Sequence, residues 1–121
     1  MATILIADDS PSALLLLARI LSPLGHHIVQ AADGAEAARA IADAPPDLVI
    51  LDVVMPEKNG FELCRSLKSD PRTARIPVFL VTSMDREADR FWGLKQGADE
   101  YLCKPVDADR LVEKVRSRLD A

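Results

Sequence analysis

The stretch Leu48-Val49-Ile50-Leu51-Asp52 decides the fold. Four consecutive aliphatic residues with no polar alternation suit a strand covered on both faces, as in a parallel sheet, whereas a strand with one wet face would alternate. The run stops at a carboxylate, and Met55 to Gly60 follows as a turn-rich loop. The same unit recurs on either side. Thr3 to Ala7 (TILIA) is a short β-branched and aliphatic run that ends before Asp8-Asp9, and Pro77 to Val81 is a buried run that ends at Thr82. His27 to Ala31 and Glu100 to Cys103 read as the second and fifth strands, the last one broken by Lys104-Pro105.

Helix signals fill the intervals. Ser10-Pro11 supplies an N-cap followed by proline at the first helical position. Leu14, Leu17, Leu21 and Leu24 then recur at helical spacing, and Gly25 is placed to end that helix in a left-handed cap. Asp33-Gly34-Ala35-Glu36 resembles a capping box and opens a helix whose inward stripe is Ala37, Ala38 and Ile41, stopped by Pro45-Pro46. Phe61, Cys64 and Leu67 stripe a third helix. Asp85 to Gln96 reads as a fourth, with Ala88, Phe91 and Trp92 leaning inward, at least one of the two aromatics in the core, and Gly97 as its stop. Leu111, Val112, Val115 and Leu119 stripe a final helix that runs to the end of the chain. Five strands alternating with five helices predict an α/β doubly wound five-stranded parallel sheet, because parallel neighbours need a crossover helix. At 121 residues the chain is expected to be one domain, residues 1–121.

Composition removes several function classes. A hydrophobic fraction of 49% with 28% charged residues argues against disorder. The net charge is −4 and Lys and Arg are scattered singly, so the electrostatic footprint of nucleic-acid binding is missing. The longest apolar run, Ala13 to Ala18, is too short to cross a membrane, and no secretion signal precedes the first strand, which predicts a cytoplasmic protein. Cys64 and Cys103 lack the paired spacing of a zinc or redox site and read as reduced packing residues, although Cys103 beside Lys104 has a redox-sensitive reading as well. There is no GxxxxGK[ST] loop and no GxGxxG after the first strand, so nucleotide binding is disfavoured. His26 and His27 fall at the opposite end of the sheet and are assigned a surface role.

Doubly wound sheets bind ligands beyond the carboxyl ends of their strands, where strand order reverses. Asp8, Asp9, Asp52, Thr82 and Lys104 all fall at that edge. A single Asp after a strand is ordinarily a cap or turn former, but five such residues at one edge form a constellation. Three carboxylates brought close raise one another's pKa unless a cation sits among them, which favours a hard, oxygen-preferring ion such as Mg²⁺. A carboxylate such as Asp52 can attack phosphorus, and the accessory parts, a metal ligand, a cation and a hydroxyl, are Asp9, Lys104 and Thr82.

With Asp8-Asp9, Asp52 in LDVVMPEKNG (51–60), Thr82-Ser83 and Lys104-Pro105 in place, the whole chain resembles the CheY-like receiver domains of two-component response regulators. The resemblance implies the strand order 2-1-3-4-5 and a phosphoryl group taken onto Asp52 from a sensor histidine kinase. It further implies that Asp9, Asp52 and the main-chain carbonyl of Val54 bind Mg²⁺, with Asp8 acting through water. Lys104 would pair with one phosphoryl oxygen and Thr82 would move to hydrogen-bond another. Tyr101 would swing inward with Thr82, unless it is a half-exposed edge-strand aromatic with no such role. Pro105 would follow a cis peptide bond that aims Lys104. A downstream protein target would read helix four, strand five and helix five, and the chain would be a monomer or a weak dimer.

Two stretches, ADDSPS (7–12) and DREADRFWGLKQGADEYLCKPVD (85–107), are similar to stand-alone receivers of chemosensory systems that control type IV pilus twitching motility. No basic or helix-turn-helix region follows the fifth helix, so a receiver without an output domain is expected, with a fragment of a longer regulator as the alternative. An aspartyl phosphatase of the haloacid dehalogenase kind would need an acid/base two residues after the nucleophile; Val54 stands there, which argues against an enzyme with turnover. A phosphorylation-independent interaction module of the same fold would have lost one of the key residues, and none is lost.

Overall fold

The aliphatic runs pair into one sheet. In a computed structural model that describes residues 1–120, β1 (Thr3–Ala7), β2 (His27–Ala31), β3 (Leu48–Leu51), β4 (Val78–Thr82) and β5 (Glu100–Cys103) are all parallel and lie in the order β2-β1-β3-β4-β5. Ile50 of β3 stands between Ile6 of β1 and Phe79 of β4, and every residue of β3 is buried. Chain direction across the sheet reverses between β1 and β3, so the carboxyl ends of these two strands lie side by side.

Five helices cover the two faces: α1 (Pro11–Leu21), α2 (Gly34–Asp43), α3 (Gly60–Ser69), α4 (Glu87–Lys95) and α5 (Ala108–Leu119). Leu14, Leu17 and Leu21 of α1 and Leu111 and Val115 of α5 bury against Ile4, Ile6, Ile50 and Phe79. On the other face Ala37, Ile41, Leu63, Cys64 and Leu67 pack on Leu5, Val49, Leu51 and Leu80. The central strands β1, β3 and β4 thus contribute alternate residues to two separate cores, which is why their sequences show no polar alternation.

Four helices start on side-chain caps. Ser10 Oγ accepts from the Ala13 amide at 3.3 Å, Asp33 Oδ1 from Glu36 at 2.8 Å, Asn59 Oδ1 from Glu62 at 2.9 Å and Asp107 Oδ1 from Arg110 at 3.2 Å. Such caps contribute about 1 kcal/mol each and fix where the chain turns back from the sheet edge.

The structure corrects the expected helices in three places. The first helix ends at Leu21; Leu24 sits in a separate 3₁₀ turn (Ser22–Leu24), and Gly25, with φ 79°, closes that turn rather than the helix. In α3 the buried positions are Leu63, Cys64 and Leu67, while Phe61 is only half-buried. α4 begins at Glu87, and neither of its aromatics is core: Phe91 is 65% exposed, Trp92 48%, and Ala88 is exposed too. The buried residue of α4 is Gly93, because the helix closes on Tyr101 through its glycine and leaves the large side chains facing outward. The last helix is described to Leu119, and Ala121 lies outside the described residues.

Candidate functional site

Three residues at the carboxyl edge are held by hydrogen bonds that carry the sheet ladder past the strand ends. The Asp8 amide donates to the Ala31 carbonyl at 3.2 Å, the Asp52 amide to Ala7 at 3.0 Å and the Lys104 amide to Thr82 at 2.8 Å. Their side chains then meet. Lys104 Nζ donates to Asp8 Oδ2 at 2.7 Å and to Asp52 Oδ2 at 2.8 Å, bridging residues 96 and 52 positions away in sequence. The second oxygen of each carboxylate is also engaged: Asp8 Oδ1 accepts from the Ser10 amide at 2.9 Å, and Asp52 Oδ1 from the Val54 amide at 3.2 Å.

Electrostatics follow from that burial. Asp8 is 1% exposed and Asp52 7%. Burial raises the pKa of Asp8, and the hydrogen bonds from Lys104 and the Ser10 amide pull it only part of the way back. Burial also works against the charge on Lys104, but its hydrogen bonds to Asp52 and Asp8 outweigh it, and the ammonium titrates above its ordinary value. The cation therefore stays charged across the physiological range.

Thr82 is fully buried at the end of β4, and its Oγ1 accepts from the Met84 amide at 3.4 Å. Tyr101 is buried as well, so it is not the half-exposed edge aromatic that its strand position allowed. Its hydroxyl donates to the Met84 carbonyl at 2.7 Å, and burial pushes its pKa up to about 12. Thr82 and Tyr101 thus grip the same residue, one through its amide and the other through its carbonyl. The Arg90 guanidinium lies over the Tyr101 ring, 5.7 Å from its centre.

The expected three-carboxylate cluster is not gathered. Asp9 is exposed, and among the described residues no three His, Cys, Asp or Glu side chains lie close enough together to hold a metal ion. Lys104 occupies the space between the two buried carboxylates instead, which relieves the repulsion that the sequence argument assigned to a metal. The donors at this edge are nonetheless all oxygen: the carboxylates of Asp8, Asp9 and Asp52 and the Val54 carbonyl, which accepts no hydrogen bond among the described residues. That chemistry fits a hard divalent cation sharing the carboxylates with Lys104.

The loop after Asp52 is tightly shaped. Glu57 has φ 70°, an uncommon conformation for a residue with a side chain, and the Lys58 amide donates to the Pro56 carbonyl at 2.8 Å across it. The Lys104–Pro105 peptide bond is cis. The remaining titratable candidates lie elsewhere. His26 Nδ1 accepts from the Ala2 amide at 3.0 Å, and His27 is exposed at the start of β2, the far end of the sheet. Cys64 is buried, which pushes its thiol pKa up to about 11, and Cys103 is half-buried; neither forms a disulfide. No described helix is long and apolar enough to cross a membrane.

Sequence reasoning did not anticipate the Ser10 amide on Asp8, the double grip on Met84 or the Arg90 stack. The first had a usable signal, since Asp two residues before an N-cap often accepts a local amide. The Tyr101 half of the grip on Met84 spans 17 positions and the Arg90 stack depends on packing of α4 against β5, neither of which local sequence encodes.

The sequence matches the response regulator receiver domain over residues 4–116. The chain belongs to the response regulator receiver family. This receiver is 42% identical over 119 residues to Protein PilH of Pseudomonas aeruginosa, a match covering 98% of each chain. It is also 42% identical over 116 residues to the response regulator PleD of Caulobacter vibrioides, of whose length it spans 26%. Among solved structures, the receiver is similar to the chemotaxis protein CheY4 of Vibrio cholerae, with a TM-score of 0.89 at 29% identity and coverage of 98% and 99% of the two chains.

Proposed function

We propose that this receiver is a stand-alone, cytoplasmic response regulator that accepts a phosphoryl group from a sensor histidine kinase onto Asp52, in a Mg²⁺-dependent reaction. It then signals to a protein target through α4, β5 and α5. The observation that carries the reading is the Lys104 ammonium held on Asp8 and Asp52 at once. A cation beside a buried carboxylate at the mouth of a doubly wound sheet suits a nucleophile that must receive a group rich in negative charge.

A carboxylate oxygen of Asp52 attacks phosphorus, the bond from phosphorus to the donor nitrogen breaks, and the imidazole leaves with the electron pair. Asp9, Asp52 and the Val54 carbonyl would hold Mg²⁺, with Asp8 acting through water, and the bound ion would supply positive charge against the incoming phosphoryl group. Lys104 transfers one of its hydrogen bonds from a carboxylate to a phosphoryl oxygen. Thr82 turns its hydroxyl toward another, which releases the Met84 amide and perturbs the residue that Tyr101 holds. A change of about one to two negative charges at Asp52 thereby becomes a change at α4 and β5. Inverting a resting population requires about 5 kcal/mol of preference for the active state, toward which the charge-assisted bonds of Lys104 and Thr82 to the phosphoryl oxygens contribute directly and a bound divalent cation would add.

Val54, two residues after Asp52, is an exposed aliphatic with no proton to give or take, so the receiver catalyses its own phosphorylation and slow dephosphorylation rather than turnover of an external substrate. The stretch 85–107 and the full-length match to PilH support placing it in twitching-motility or chemotaxis signalling. The test is intact mass after incubation with acetyl phosphate, with and without Mg²⁺. A single phosphoryl adduct that needs Mg²⁺ and vanishes in Asp52→Asn is expected; no adduct on a folded, Mg²⁺-binding sample would leave a phosphorylation-independent interaction module.

A further inference from the structure

α2 and α3 lie side by side on one face of the sheet, and the seam between them is not closed. α2 lines it with Ala38 and Ala42, and alanine side chains are too short to reach the wall that Leu63, Ser66 and Leu67 of α3 provide. A cavity of about 160 Å³ is left. Both helices follow strands of one parallel sheet and so run the same way, which gives the cavity two distinct ends. Lys58, just before α3, stands at one end, and Asp70, Arg72 and Thr73, just after it, stand at the other. The Asp70 end satisfies itself. Arg72 donates to Asp70 Oδ1 at 3.3 Å and to Oδ2 at 2.9 Å, which holds the Asp70 carboxyl below its usual range, and the Thr73 hydroxyl donates to the Leu67 carbonyl at 2.7 Å. The Lys58 end does not. Lys58 is half-buried, its backbone is pinned by the start of α2 at Gly34, and among the described residues no carboxylate lies within ion-pair distance of its ammonium.

We propose that the cavity between α2 and α3 binds a small aromatic carboxylate of one ring, with the ring between Ala38, Ile41 and Leu67 and the carboxylate on the Lys58 ammonium. Size and charge each select that ligand. A cavity of about 150 Å³ with aliphatic walls accepts a single benzene ring, and such walls give water too few hydrogen-bond partners to compete for the space. Ile41, Leu63 and Leu67 supply the aliphatic walls here. A carboxylate on the ring then gives Lys58 the charge-assisted hydrogen bond that the chain itself does not provide. Orientation follows from the two ends, because the reverse placement would set the ligand's carboxylate beside Asp70, whose cation is already engaged, where like charges repel. The inference goes beyond the phosphoacceptor reading and stands without it, since neither Asp8, Asp52, Thr82 nor Lys104 lines the cavity.

The experiment titrates the full, unphosphorylated chain, labelled with ¹⁵N, with benzoate at constant ionic strength and follows the backbone amide shifts. Benzamide, which keeps the ring and removes the charge, and acetate, which keeps the charge and removes the ring, are titrated in parallel. Benzoate should saturate at a Kd of about 1 mM or tighter, with the shifts gathered on residues 38–45 and 58–73, and benzamide should bind about tenfold more weakly. Lys58→Met should bring benzoate down to the affinity of benzamide and leave benzamide unchanged, while Lys58→Arg keeps the preference for the acid. Ala42 is exposed, so Ala42→Leu places a longer side chain across the cavity without entering the core, and it should abolish binding of both ring compounds at an unchanged melting temperature. Acetate shifting the same amides as strongly as benzoate would reduce the site to non-specific anion binding and overturn the proposal. Equal affinities for benzoate and benzamide, full benzoate affinity in Lys58→Met, or undiminished binding in a folded Ala42→Leu would each overturn it too.

Discussion

Gly93 lies so close to Tyr101 that a methyl group on it would stand 2.7 Å from Cδ2 and 2.9 Å from Cε2 of the ring. The approach lets α4, which otherwise buries no side chain, sit down on β5. Alanine is a better helix former than glycine by about 1 kcal/mol, while forcing a methyl group into a packed contact costs about 1–3 kcal/mol, so the clash should win. Gly93→Ala is expected to lower stability by up to about 2 kcal/mol in urea unfolding, whereas a net gain would mean that α4 can shift without strain.

Lys104 is the only described cation on the Asp8 and Asp52 carboxylates. Removing it leaves two buried negative charges facing each other, and since the lysine side chain itself is 26% exposed the cost should be about 1–3 kcal/mol, below that of a fully buried pair. Lys104→Met is therefore expected to melt at a lower temperature and to be raised by millimolar MgCl₂ more than the wild type is, because a divalent cation takes over the neutralisation. A thermal shift series in MgCl₂ and in matched NaCl checks it; equal shifts in both salts would argue against a divalent site at this edge.

Alkaline pH should destabilise the fold through two buried acids. Burial raises Cys64 from its ordinary 9.0 to about 11 and Tyr101 from 10.0 to about 12. Both hold their protons more tightly folded than unfolded, so their contribution is whole below about pH 9 and falls as the pH climbs through about 11 to 12. Tyr101→Phe and Cys64→Ala should each flatten the decline of the melting temperature above pH 9. At pH 8, an alkylating reagent should label half-buried Cys103 well before Cys64.

Lys68 provides a control far from the chemistry. Its Nζ donates to the Ile76 carbonyl at 2.8 Å and to Asp99 Oδ2 at 2.9 Å, and the same Asp99 oxygen accepts from the amide of Val78 at the start of β4. Lys68→Met should cost about 1–3 kcal/mol, since it removes the nearer cation from Asp99 and leaves it the Val78 amide and the Arg118 guanidinium at 3.9 Å, yet leave the rate of acetyl phosphate labelling within about twofold of wild type. A labelling rate that collapsed along with stability would show that the two ends of the sheet are coupled.

The strands were legible because a doubly covered strand has an unmistakable composition, and Asp8, Asp52, Thr82 and Lys104 were legible because each directly follows such a run. What stayed hidden depends on partners remote in sequence. Phe91 and Trp92 lean inward in the sequence, with at least one of them expected in the core, but the surface that α4 packs on already holds the ring of Tyr101, and only a glycine fits there. Asp9 read as one of three converging carboxylates, yet the chain turns at Asp8 toward the Ser10 amide and leaves the next side chain outside. The Lys68 to Asp99 pair spans 31 positions and has no local signal at all.

The contact of Gly34 with the loop after Asp52 has a consequence for how this chain can vary. A β-carbon at Gly34 would stand within bonding distance of the Lys58 carbonyl oxygen, a backbone atom that no rotamer change can move aside. The first turn of α2 and the loop of residues 55–60 are therefore cast as one piece, although no residue of α2 hydrogen-bonds to the Asp8 or Asp52 carboxylate. A library that randomises every position and selects only for folding should return glycine at 34 almost without exception, and loop insertions between 55 and 60 should be rejected as firmly as substitutions in the core. Variation that retunes the loop's chemistry has to come through side chains such as those of Val54 and Glu57, on a backbone whose path is already taken.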